Sequence, residues 1–162
     1  MKRILIGMVS SAAILVIGLF ALVTVPATAD EGVIERRIEL MRKDILGNFR
    51  VIIKFTKSDE GSMVDVEKAA KALQLAADQL LTLFPKGTGR PDVHEKKTRA
   101  LAKIWDDWET FENANNSMSM YAGGVEIAAA KGDAEGVKKN FVMIGKEGCG
   151  GCHRPFRGPK AE

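Results

Sequence analysis

The sequence predicts an all-α protein, an antiparallel four-helix bundle, from three observations. Apolar residues after position 30 recur at intervals of three and four, no stretch alternates with period two, and polar segments with glycine and proline separate the candidate helices. The 162 residues amount to one ordinary domain.

The beginning of the chain does not belong to that domain. Lys2 and Arg3 precede an uncharged apolar run from Ile4 to Val25, and Ala27-Thr28-Ala29 supplies the small-x-small pattern of a signal peptidase site. Residues 1–29 therefore read as a signal peptide and residues 30–162 as the exported bundle, with the periplasm as the expected location. The apolar run is also long enough to span a bilayer, so an uncleaved anchor is the alternative, and only then would the protein touch a membrane.

The first helix carries the stripe Ile34, Ile38, Met41, Ile45, Phe49 and Ile52. Thr56 to Ser62, polar and with one glycine, makes the first connection. The second stripe, Val66, Ala70, Leu73, Ala77, Leu80 and Phe84, steps regularly by four and three, as neighbouring helices in a bundle require. Leu83-Phe84-Pro85 closes that helix, and Lys86 to Asp92, with Gly87, Gly89 and Pro91, forms the longest irregular connection. The third helix is expected to start near Val93 to Lys97 and to use Leu101, Ile104, Trp108, Phe111, Met118, Ala122 and Val125. Asn115 interrupts its stripe, and Gly123-Gly124 predicts a bend or break. Gly132-Asp133 reads as a helix stop followed by an N-cap, leading into a fourth helix with Val137, Phe141 and Ile144.

The fourth helix runs into Cys149-Gly150-Gly151-Cys152-His153. C-x-x-C-H is the pattern to which haem is covalently attached, with two thiols for thioethers and an imidazole for the iron. Both cysteines of the chain lie in it. In an exported protein a pair of cysteines would by default form a disulfide. Here the loop closed would be very small and would leave His153 without a role, and the strand-helix alternation of a thioredoxin-like protein is missing. On a continuous helix, Cys149, Cys152 and His153 share one side. Gly148, Gly150 and Gly151 are expected to leave room for the porphyrin. The cofactor expected is one covalent haem c, with Cys149 and Cys152 as attachment points and His153 as proximal iron ligand.

Charge excludes little but does not favour nucleic acid as a partner: the formal +3 falls to +1 once Lys2 and Arg3 are removed. No hydrolytic triad or phosphate-binding loop is present, so the chain does not read as an enzyme.

Ile144-Gly145-Lys146 leading into the motif, the following Pro155-Phe156-Arg157, Leu83-Phe84-Pro85, and Lys103-Ile104-Trp105 with Phe111 together resemble the class II cytochromes c, the group of cytochrome c′ and its low-spin relatives. One departure is that Glu147-Gly148 gives one more residue before the first cysteine than many relatives have. The resemblance implies a haem near the C-terminus of a four-helix bundle, redox partner proteins, and homodimerisation through the first two helices. It also implies a choice on the distal face. In Arg36-Arg37-Ile38-Glu39-Leu40-Met41-Arg42-Lys43, the sequence Leu-Met followed by a basic residue is similar to the methionine-ligated branch, which makes Met41 the candidate sixth ligand and places Arg37 near a haem propionate. The expectation is then a low-spin electron carrier ligated by His153 and Met41. A register shifted by one residue presents Leu40 instead, and the alternative is a five-coordinate haem protein that binds nitric oxide or carbon monoxide.

Overall fold

The computed structural model describes residues 31–162, so the predicted signal segment 1–29 lies outside the described residues. Four helical segments form the expected bundle, with the first against the second, the second against the third and the third against the fourth. The first and fourth also meet, where Leu46–Ser58 faces Ala134–Met143 and the rings of Phe49 and Phe141 lie 4.5 Å apart. No helix among the described residues is long and apolar enough to cross a membrane.

The first helix is α-helical over Glu31–Glu39, π-helical over Leu40–Ile45 and α-helical again over Leu46–Ser58. Its π character is explicit in the Leu46 N–H, which donates to the Met41 carbonyl five residues back. Asp59 ends the helix in the left-handed conformation (φ 52°), its N–H donating to the Lys54 carbonyl. The buried residues are Ile34, Arg37, Leu40, Ile45 and Ile52, whereas Ile38, Met41 and Phe49 are only half-buried. Of the predicted stripe Ile34, Ile45 and Ile52 are thus buried, and around the π turn Arg37 and Leu40 take the buried places expected of Ile38 and Met41.

The second helix, Met63–Leu80 with a 3-10 turn at Leu81–Leu83, follows the sequence pattern closely. Val66, Ala70, Leu73, Ala77 and Leu80 are all buried, and Ser62 caps the helix reciprocally with Asp65. The third helix begins later than expected. A short turn, Lys103–Asp106, precedes the main helix, Trp108–Ala130. The Val93 to Lys97 start is displaced because Arg90 claims the carbonyls a helix would need: its side chain donates to Thr98 O (2.8 Å) and Glu95 O (2.7 Å), and its backbone N–H to Ala100 O (2.8 Å).

The third helix runs through Gly123-Gly124 without a break. A Cβ at Gly123 would lie 3.2 Å from Gln74 Oε1, and one at Gly124 would collide with the Asn140 side chain. These glycines admit polar side chains from the neighbouring helices rather than bending their own. Asn115 is buried and donates to Ala77 O (3.1 Å). The fourth helix is capped by Asp133, whose carboxylate accepts from the Gly136 N–H (2.9 Å), and continues from Ala134–Met143 through a second π stretch, Ile144–Cys149, to Gly150–Phe156.

Candidate functional site

The C-terminal end of the fourth helix brings the motif residues together. Ile144, Gly148, Cys152 and Phe156 are buried at steps of four, and in an α-helix three such steps would drift by about 120°. The π turn absorbs that drift, with the Gly150 N–H donating to the Gly145 carbonyl five residues back. As a result Cys152 and Phe156 stay in the core that Phe141 and Ile144 begin.

The third helix supports this end from inside. Cys152 Sγ lies 3.7 Å from the Phe111 carbonyl, and Phe156 meets the Phe111 ring edge-on at 5.4 Å. A Cβ at Gly148 would fall 2.8 Å from Met118 Cα, and one at Gly151 would fall 2.9 Å from Ala114 Cβ. Gly148 and Gly151 therefore permit close helix-helix approach, and Gly150 faces the Arg154 guanidinium. The space expected for the porphyrin at these glycines is filled by protein.

Cys149 and Cys152 are free thiols, the first half-buried and the second buried. Burial pushes the Cys149 thiol up, and burial reinforced by Cys149 pushes the Cys152 thiol up to about 12. His153 is exposed at the helix surface, yet surrounding atoms desolvate its ring enough to lower its pKa, and the charges of Arg157 and Arg99 lower it further. A neutral imidazole is the form that ligates metal.

On the first helix, the π turn holds the two residues between which the sequence left a choice. Leu40 is 1 % exposed and belongs to the same hydrophobic cluster as Cys152, while Met41 packs against that cluster from its margin. One turn earlier, Arg37 is buried without a carboxylate. Its terminal nitrogens donate to Leu83 O (3.2 Å), Thr88 Oγ1 (3.3 Å), Thr88 O (2.9 Å) and Thr98 Oγ1 (2.9 Å). Its guanidinium stacks on Phe84, 4.4 Å from the ring centroid, and burial lowers its pKa to about 10. These N–H groups fasten the first helix to the connection after the second. Thr88 and Thr98, the buried hydroxyls of this staple, were not legible as site residues, because threonine in a loop ordinarily reads as solvated.

These residues fit a covalently held haem. Two unbridged thiols and a neutral imidazole share one end of a helix, and an apolar turn of another helix belongs to the same cluster. Together they define a class, a helical bundle built to carry haem c. The profile of the family described as cytochrome c′ matches residues 32–157. The cytochrome c′ of Halomonas halodenitrificans is 35% identical over 94 residues, 56% of this chain and 70% of its own length. The structure of cytochrome c′ from Thermochromatium tepidum superposes with a TM-score of 0.70 at 26% identity, covering 80% of this chain and 96% of the other. A cytochrome c′ with ligand-controlled dimer dissociation superposes with a TM-score of 0.69, also at 26% identity and with coverage of 80% and 96%. The chain belongs to the cytochrome c′ family, whose members carry one covalently attached haem c.

This membership corrects the expected axial chemistry. Cytochrome c′ is a high-spin, five-coordinate haem protein, so the low-spin electron carrier with Met41 as sixth ligand does not stand. The physical counterpart in this chain is the π turn, which seats Leu40 in the core and leaves Met41 at its margin.

Proposed function

We propose that the protein is a periplasmic five-coordinate haem c protein that binds nitric oxide or carbon monoxide. The match of the cytochrome c′ profile to residues 32–157, which enclose both the C-x-x-C-H motif and the Leu40-Met41 turn, carries the reading. Cys149 and Cys152 would hold the porphyrin by thioethers, and His153 would ligate its iron. Iron with an open axial position supplies the affinity for small diatomic gases.

The chain's own residues prepare that chemistry. The lowered pKa of His153 favours the neutral ring, which leaves a nitrogen lone pair free. The Phe111, Ala114 and Met118 face of the third helix holds the motif helix in place, and Leu40 lies closed to water in the same apolar cluster. Homodimerisation through the first two helices belongs to the same reading. Leu46, Val51, Val64 and Leu75 are exposed there, and sedimentation of the haem protein tests whether they pair two copies.

Absorption spectra of the oxidised and reduced haem protein, with and without carbon monoxide, test the proposal. High-spin spectra with carbon monoxide uptake are expected. Low-spin spectra indifferent to carbon monoxide would overturn it.

A further inference from the structure

We propose that the π-helical turn Leu40–Ile45 is a register device that keeps the Met41 thioether off the iron, so that the axial position stays open. The inference rests on the five-coordinate reading above and explains how a chain with a methionine in this segment maintains that state. A thioether is a competent haem ligand, so something other than residue type must withhold it.

The two halves of the first helix, Glu31–Glu39 and Leu46–Ser58, meet at this turn. Counting back from Ile52 through Phe49 and Ile45 at α-helical steps reaches Met41, Ile38 and Ile34, an unbroken apolar stripe. A regular α-helix would turn that stripe inward and carry Met41 with it. The structure keeps Ile34 buried but then buries Arg37 and Leu40 and leaves Ile38 and Met41 half-buried. Between Leu40 and Ile45, both buried, lie five residue steps, which in an α-helix would set the side chains about 140° apart. Bonding from residue i to i+5 stacks them on one face, and the Leu46 N–H to Met41 carbonyl bond is that pairing.

Both halves are anchored, so the turn cannot relax freely. On the early side Arg37 is held by its four bonds to Leu83, Thr88 and Thr98 and by Phe84. On the late side Phe49 stacks with Phe141, and Ile52 is fully buried. The π turn reconciles the two anchors by exchanging Met41 for Leu40 at the interior position. A leucine side chain offers no lone pair, and the residue that does is held about 100° away around the helix.

Three haem-loaded proteins, compared by absorption and electron paramagnetic resonance spectra, test this. Met41→Leu, a nearly volume-conserving change, should leave the high-spin spectra and carbon monoxide uptake of the parent unchanged. The double variant Arg37→Gln, Leu40→Gln removes the early anchor and makes the present interior face polar, so Ile38 and Met41 should turn inward. It should become low-spin, with apparent carbon monoxide affinity lowered roughly ten-fold or more because the gas must displace the thioether. Adding Met41→Leu to the double variant should restore the high-spin state.

A folded double variant that stays high-spin overturns the register device while leaving the gas-binding reading intact. A low-spin parent overturns that reading itself. If the double variant does not fold, scalar couplings across hydrogen bonds in the parent haem protein decide: coupling from the Leu46 amide to the Met41 carbonyl supports the device, and coupling to the Arg42 carbonyl in its place overturns it.

Discussion

Two π turns, Leu40–Ile45 and Ile144–Cys149, lie on the helices that provide the two sides of the site, and they do different things. The second preserves a pattern. It absorbs the drift of a four-residue spacing and keeps Cys152 and Phe156 in the core to which Phe141 and Ile144 belong. The first changes a pattern, shifting the buried face by one residue so that Leu40 replaces Met41. A π turn is therefore not by itself a sign of one function. Its effect depends on whether the residues on either side were already in phase.

The largest effect should come from the side where chemistry is local in sequence. Replacing both thiols, Cys149→Ala with Cys152→Ala, should abolish covalent haem, read by intact-protein mass spectrometry after acid extraction. Retention of covalently bound haem in that variant would refute the assigned attachment points. On the distal side the largest effect should come from Arg37→Gln alone. Bonds to charged groups contribute about 1.5–3 kcal/mol each, but the change also removes a buried cation whose desolvation is costly, so a net loss of about 3 kcal/mol is expected. Urea denaturation of the haem protein measures it. A loss well under 1 kcal/mol would mean that the connection around Thr88 and Thr98 does not depend on this staple.

Gly148→Ala tests the proximal packing. Its Cβ would lie 2.7 Å from Met118 Cβ and 2.8 Å from Met118 Cα. Backbone on the opposing helix cannot rotate away, so overpacking of about 1–3 kcal/mol is expected, with a fall in Tm. An unchanged Tm would show that the third and fourth helices part without cost at this point.

The same contrast explains what the sequence made legible. The second helix could be read residue by residue because Val66 to Leu80 keep one α-helical phase and Ser62 supplies its own cap. Cys149 to His153 could be read because attachment chemistry needs adjacent residue types and no distant partner. The first helix misled because its apolar residues form a good α-helical stripe through Met41, while the choice against that stripe is made by Arg37 contacts with Leu83, Thr88 and Thr98, between 46 and 61 positions away. The start of the third helix failed for a related reason: Arg90 diverts the carbonyls of Glu95 and Thr98, which periodicity cannot register.

The smallest expected effect serves as the control between the two sides. Ser62→Ala removes the side-chain half of the second helix's reciprocal cap, in which the Asp65 N–H donates to Ser62 Oγ (3.2 Å) and Ser62 Oγ to Asp65 Oδ2 (2.6 Å), and leaves the backbone Ser62 N–H to Asp65 Oδ2 bond (3.1 Å). Loss of such a cap costs about 1 kcal/mol. Hydrogen bonds from the Ser62 side chain and backbone hold the Asp65 carboxyl below its ordinary pKa. A depressed carboxylate contributes stability that is present above its unfolded pKa and is lost as pH falls through the folded one. The variant should accordingly show a lower Tm near neutrality and a shallower decline of Tm with acid than the parent. Because Ser62 lies in the connection between the first two helices, away from Leu40 and from Cys149, its haem spectra and carbon monoxide uptake should match the parent. A spectral change would mean that the second helix transmits strain to the distal turn, and the two sides of the site would then no longer be separable.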